Sequence, residues 1–138
     1  MTVTDSILRG VPLFTGMTDR ALEAIGDLVS ERSFDTDQDL VRQNDPGDSF
    51  LILRDGTARV LVDDRPIHEP GPGDFLGEIS LIDGGPRTAT VRATTPIHAL
   101  VIGRDDFATL LERHSSVRLE LLMALTARIR RSERSPTA

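Results

Sequence analysis

The chain has no cysteine, which excludes a disulfide framework, a thiolate metal site and a thiol nucleophile. Lysine is absent too: all 16 basic residues are arginine. A lone arginine is therefore uninformative here, and only one in a particular context counts. No apolar run approaches the ~20 residues needed to cross a bilayer. Met1 to Asp5 lacks the basic and apolar regions of a secretory signal. Positive charge is short overall, with a net charge of −6 and a pI of about 5.0. That balance disfavours broad electrostatic binding to nucleic acid or an anionic membrane. These absences set the expectation of a cytoplasmic protein with neither nucleic acid nor membrane as partner.

Catalytic signatures are missing as well. His68, His98 and His114 lie far apart and form no His-x-His pair, which argues against a metal-dependent β-barrel enzyme of the cupin type. No Gly-x-Ser-x-Gly elbow occurs. Asp105-Asp106 reads as a pair of first-turn helix acids, and His114 as a residue answering a helix dipole. The expectation is a protein that is not an enzyme and carries neither metal nor cofactor.

What is present suits one ordinary globular domain: 138 residues, 38% hydrophobic and 28% charged. We place a single domain at residues 1–131 and a disordered tail at 132–138. Near the start, Ile7-Leu8 and Val11-Pro12-Leu13-Phe14 read as a short helix and an apolar turn. Thr18 then caps a helix with Leu22, Ile25 and Val29 on one face, Met17 stapling against Leu22. From about residue 31 to 102 short β-prone runs alternate with turn signals. Asn44-Asp45-Pro46-Gly47 is a strong turn. Asp55-Gly56 suits a two-residue hairpin between Ser49–Arg54 and Thr57–Val62, the latter with Ala58, Val60 and Val62 on one face. Pro70-Gly71-Pro72-Gly73 must be loop. Thr88–Ala93 and Ile97–Ile102 are the last strand candidates. Such closely spaced short strands indicate a sandwich or jelly-roll barrel.

Two helices follow. The first carries Phe107, Leu110 and Leu111. The second carries Leu119, Leu121, Leu122, Met123, Leu125 and Ile129, an arc wider than one core-facing stripe needs. Either this helix packs deeply, or its extra apolar face closes over a ligand or pairs with a second subunit.

The chemistry concentrates between Gly73 and Val91. Glycines allow backbone to approach a ligand, and Glu78 opens a short helical turn to Ile82 whose first amides attract an anion. After Gly84-Gly85-Pro86 come Arg87 and Thr88, a fork of donors beside a hydroxyl, suited to phosphate oxygens. Glu78 would repel a phosphate and is better placed to accept from sugar hydroxyls. A carboxylate for a diol, an arginine for a phosphate and an apolar wall together describe a nucleotide monophosphate. The plainer alternative is a salt-bridged surface pair in a barrel loop.

The run Phe75-Leu76-Gly77-Glu78-Ile79-Ser80-Leu81, then Pro86-Arg87-Thr88-Ala89-Thr90, resembles the phosphate-binding cassette of the cyclic-nucleotide-binding domain family. That family includes catabolite activator proteins, kinase regulatory subunits and cyclic-nucleotide-gated channels. Asp45-Pro46-Gly47-Asp48-Ser49-Phe50, with Leu51-Ile52-Leu53 and Gly56, is similar to its strand-turn-strand signature. The resemblance implies a mainly β fold, an eight-stranded β-roll (double-stranded β-helix or jelly roll) with an N-terminal helical segment and two C-terminal helices. It also implies that Glu78 accepts the ribose 2′-OH, Arg87 pairs with the cyclic phosphate and Thr88 adds a hydroxyl to phosphate or base. Amides around Gly77, Glu78, Ile79 and Ser80 would complete the cradle. The ligand set it implies is Phe75, Leu76, Gly77, Glu78, Ile79, Ser80, Pro86, Arg87, Thr88 and Ala89. The ligand is cAMP or cGMP, with cAMP the first expectation.

The function that follows is a non-catalytic sensor. A hinge at Phe75, Leu81 and Ile82 would let the C-terminal helix shift over the base, through Leu122, Leu125 and Ile129. Its partners would be an effector protein or a second copy through that helix. Alternatives are a degenerate cassette serving as an interaction scaffold, or the regulatory half of a transcription regulator. Only seven residues follow Arg131, too few for a helix-turn-helix, and the cluster Arg128, Arg130, Arg131 and Arg134 reads as a solvated helix end.

Overall fold

The computed structural model describes residues 3–133. Residues from 134 onward, which hold Arg134 and most of the expected tail, lie outside the described residues. The described residues divide into two compact units, residues 27–109 and residues 3–26 with 110–133.

The larger unit is built from β-strands. Those described are β1 (Ser30–Phe34), β2 (Asp39–Val41), β3 (Ser49–Asp55), β4 (Ala58–Val62), β5 (Arg65–His68), β6 (Phe75–Leu76), β7 (Thr90–Ala93) and β8 (Ile97–Gly103). They form two antiparallel four-stranded sheets, ordered β1-β8-β3-β6 and β2-β7-β4-β5. Leu51 and Leu53 of β3, Ala99 and Val101 of β8, and Leu40, Ala58, Val91 and Ala93 of the other sheet form one buried cluster between the sheets. β3 and β8 carry a second apolar row: Phe50 and Ile52, Leu100 and Ile102, all fully buried. Strands buried on both faces read as continuous apolar runs, which is why residues 50–53 show no alternation.

The turn after β3 differs from the hairpin expected at Asp55-Gly56. β3 pairs with β8 and β6, whereas β4 pairs with β5 and β7. Both edges of β3 are taken, so Gly56, at φ +88°, carries the chain from one sheet to the other. β4 runs in unbroken register against β7, and Ala58 and Val60 share the face toward the buried cluster as expected. The register shift against β5 leaves its extra residue, Ile67, on β5, and Leu61 is buried on the other face of β4.

Between β6 and β7 stands the short helix α3 (Glu78–Asp83). After β8 the chain enters α4 (Arg104–Arg113). Phe50 stacks on Phe107 of α4 with ring centroids 4.5 Å apart and meets Phe75 of β6 at 5.5 Å. This aromatic column joins the strand before α3 to the helix after β8.

The smaller unit is helical. α1 (Val3–Arg9) and α2 (Asp19–Gly26) flank a 3-10 turn at Pro12–Phe14, and α5 (Ser115–Glu133) contacts that turn. Thr18 caps α2 as expected, its Oγ1 accepting from the Ala21 amide at 3.2 Å. α2 stops at Gly26, so Val29 lies beyond it and does not extend the face of Leu22 and Ile25. Arg118 donates to the carbonyls of Leu111 and Glu112, answering two open acceptors at the end of α4. On α5, Val117 and Leu121 are buried and Leu125 is half-buried. Leu119, Leu122, Met123 and Ile129 are more than half exposed, so the helix does not pack deeply all round. Its backbone is helical to Glu133, two residues beyond the expected end of the domain at Arg131.

Because Phe50 sits between two rings at full burial, Phe50→Ala is expected to cost about 3–5 kcal/mol in urea unfolding. Phe50→Leu, which keeps most of the volume, should cost less than about 2 kcal/mol.

Candidate functional site

The site is assembled around a buried cation. Among the described residues the buried polar side chains are Glu78, Ser80 and Arg87, with Glu78 2% and Arg87 5% exposed. The sequence brings these together at one place, and their burial removes the reading of a surface salt bridge. A buried guanidinium is costly unless donors and charge are both answered.

Arg87 is fixed first through its backbone. Its amide donates to the Asp45 carbonyl and its carbonyl accepts from the Asn44 amide, each at 2.8 Å. Pro46 bridges Pro86 beside them. The turn at 44–47, with Asn44 at φ +73°, thus forms a short ladder against residues 86–87. Asn tolerates this left-handed conformation better than most residues.

The guanidinium is then held by acceptors on two elements. Nη1 donates to the Gly77 carbonyl at 3.1 Å, and Nη2 donates to the Ser49 carbonyl at 2.9 Å and to Ser49 Oγ at 3.2 Å. Space around it is exhausted. A Cβ on Gly77 would lie 2.6 Å from Arg87 Nη1 and 2.7 Å from the Ser49 carbonyl oxygen. Gly77 also sits at φ +95° as the N-terminal cap of α3, so no other residue fits there without strain. A Cβ on Gly47 would lie 2.5 Å from Ser80 Cβ and 2.9 Å from Arg87 Nε.

Burial draws the Arg87 guanidinium below its ordinary pKa; Asp48 opposes that, Arg104 adds to it, and Glu78 opposes it. Arginine stays protonated under all these influences. The net result is a permanent positive charge, removed from water, set against neutral carbonyls and a mixture of charges. Such a charge is well suited to an anion with several acceptor oxygens.

Glu78 and Ser80 come from the first turn of α3, which has no side-chain cap. The expected helical turn from Glu78 to Ile82 runs one residue further, to Asp83, and ends at Gly84 in the left-handed region. Phe75 and Leu76 are buried on β6, Ile79 is exposed on α3, Pro86 and Thr88 are exposed, and Ala89 is half-buried before β7. Of the hinge residues, Phe75 is in the aromatic column, Leu81 is half-buried and Ile82 is exposed.

Of the residues that hold Arg87, Gly77 was among those expected at the site and Ser49 and Gly47 were not. Ser49 and Gly47 lie in the Asp45–Phe50 run, whose similarity to a family signature was visible but whose role was not. Arg104 carried no signal, being one arginine among 16. No group of three or more histidine, aspartate or glutamate side chains among the described residues could hold a metal ion.

A family model described as the cyclic nucleotide-binding domain matches residues 31–114. A cAMP-dependent protein kinase regulatory subunit from Emericella nidulans is 32% identical over 109 residues, covering 78% of this chain and 26% of the relative. The acetyltransferase Pat of Mycolicibacterium smegmatis is 36% identical over 108 residues, covering 75% of this chain and 32% of the relative. The chain thus spans only about a quarter to a third of these curated relatives. A cyclic nucleotide-binding domain of known structure from Methylobacillus flagellatus superposes with a TM-score of 0.81 at 30% identity. That match covers 94% of this chain and 78% of that one.

Gly47→Ala is expected to destabilise the protein by about 1–3 kcal/mol in urea unfolding, because its Cβ meets Ser80 and Arg87. Gly71→Ala is the control: the nearest atom to its Cβ is Thr57 Cγ2 at 3.9 Å, and stability should stay within about 1 kcal/mol of wild type.

Proposed function

The chain belongs to the cyclic nucleotide-binding domain family, and from that premise we propose that it is a non-catalytic sensor of cAMP or cGMP. The observation that carries the reading is the buried Arg87, held in place by Gly77 and Ser49 beside the buried carboxylate of Glu78. On this reading the cyclic phosphate meets Arg87 and the first amides of α3, and Glu78 accepts from the ribose 2′-OH. Phe75, Leu76, Gly77, Ile79, Ser80, Pro86 and Ala89 form the surrounding cradle. The exposed Thr88 is the residue to discriminate guanine from adenine. The two sheets serve as the walls of an eight-stranded β-roll.

Output is assigned to the C-terminal helix. Leu119, Leu122, Met123 and Ile129 leave an apolar stripe on α5 open, suited to an effector protein or a second copy of the chain. Binding would shift the population between at least two arrangements of that helix. No helix among the described residues is long and apolar enough to cross a membrane, which suits a cytoplasmic sensor.

Calorimetric titration with cAMP and with cGMP tests the reading. Wild type should bind one or both saturably, and Arg87→Ala should lose about 2–5 kcal/mol of binding free energy, since a desolvated charge-assisted contact is removed. Thr88→Ala should change the ratio of the two affinities. Absence of both heat and thermal stabilisation with either nucleotide would leave the interaction scaffold as the surviving function.

A further inference from the structure

The β3–β8 ladder ends at the pair Ser49↔Gly103. One residue on, the Arg104 amide donates to the Asp48 carbonyl at 2.9 Å, and the Arg104 guanidinium donates through Nη2 to the Gly47 carbonyl. Arg104 therefore grips two consecutive carbonyls of the turn that surrounds Arg87. That turn has no slack: Gly47 is buried, with Ser80 and Arg87 Nε against it. Asp45 takes the Arg87 amide on one side, and Ser49 takes its guanidinium on the other. A displacement of Gly47 is thus a displacement of the bed on which the Arg87 side chain lies.

Helix stability does not account for this arginine. Arg104 is the first residue of α4, where the helix dipole favours acids, as Asp105 and Asp106 illustrate. A cation there is mildly unfavourable unless it serves something else.

We propose that Arg104 is a positioning residue of the anion site, holding the Gly47–Asp48 turn so that Arg87 presents its donors in one orientation. This deepens the cyclic-nucleotide reading and rests on it. The charge of Arg104 also reaches the site: after burial, it is the influence that most depresses the Arg87 pKa. Two like charges held this near are unfavourable in the empty protein. A bound phosphate relieves that repulsion, so Arg104 favours anion occupancy twice, by geometry and by field.

The test compares wild type, Arg104→Ala and Arg104→Lys in two measurements. The first is cyclic-nucleotide affinity at low and high salt. The second is the Nε–Hε NMR signal of Arg87 in the ligand-free protein, assigned by its loss in Arg87→Lys. Arg104→Ala should weaken binding by about tenfold, flatten its salt dependence and broaden the Arg87 signal. Arg104→Lys, which keeps the charge and one donor, should restore most of the affinity. Wild-type affinity in Arg104→Ala, or weakened binding with the Arg87 signal unchanged and no rescue by lysine, overturns the proposal. If wild type binds no cyclic nucleotide, the sensor reading fails by itself. The Arg87 signal then decides alone: broadening in Arg104→Ala supports positioning, and an unchanged signal refutes it.

Discussion

A buried guanidinium is the constraint to which the rest of the cassette answers. Removing Arg87 from water costs several kcal/mol before any contact is made, and neutral acceptors recover only part of that. The carbonyls of Gly77 and Ser49 and the Ser49 hydroxyl satisfy donors but leave the charge. Asp48 and Glu78 attract it and Arg104 repels it, and the largest single influence on it is its removal from water. On the proposed reading, a guanidinium whose burial is costly in the ligand-free fold is one that a bound anion would stabilise. Stability and affinity are in this sense traded against each other at one side chain.

The glycines and the core follow from that placement. Gly47 and Gly77 lack side chains because the space a Cβ would need is filled by Arg87 and the groups that hold it. The two-sided burial of β3 matters for the same reason. Ser49, the first residue of that strand, is anchored by the apolar run Phe50–Leu53, so its carbonyl stands at a fixed point. Phe50 links Phe75, just before the cassette, to Phe107 on α4. The strand β6 and the helix that follows the last strand therefore share one packed column.

Much of this was legible in the sequence, and the gaps have physical causes. Glu78 and Arg87 were visible because two opposite charges flanked by glycines in a turn-rich stretch are uncommon, and their order matched a family cassette. The cap at Thr18 was visible because capping is local. The crossover at Gly56 was not, since a tight glycine turn looks the same whether it joins two paired strands or passes between sheets. Which strands pair is decided by contacts distant in sequence, here β3 with β8. Ser49 and Arg104 escaped for a related reason: 38 residues separate Ser49 from Arg87, and Arg104 reaches its turn across 57. Nothing in local composition announces such contacts. The exposure of Leu119, Leu122, Met123 and Ile129 was foreshadowed by an apolar arc too wide for one buried face, although the pattern alone could not say which residues would be left out.

The way the cassette is attached explains how such a site could signal on the proposed reading. β6, which leads into α3, pairs with β3 at Leu51↔Leu76 and Ile52↔Phe75, with two more backbone bonds joining Leu53 to Gly73 and Asp74, whereas β3 and β8 are paired along most of their length. On its far side the cassette is tied by the short ladder of residues 44–46 with 86–87. A segment held by few backbone pairs, with Ile79 and Ile82 exposed on its helix, belongs to the less stable part of a fold. An anion that draws the α3 amides and Arg87 together would therefore reorganise this segment before disturbing the sheets. Phe75 is the buried aromatic side chain at its entry, and on the proposed reading movement of the cassette would pass first to Phe50 and from there to Phe107 of α4.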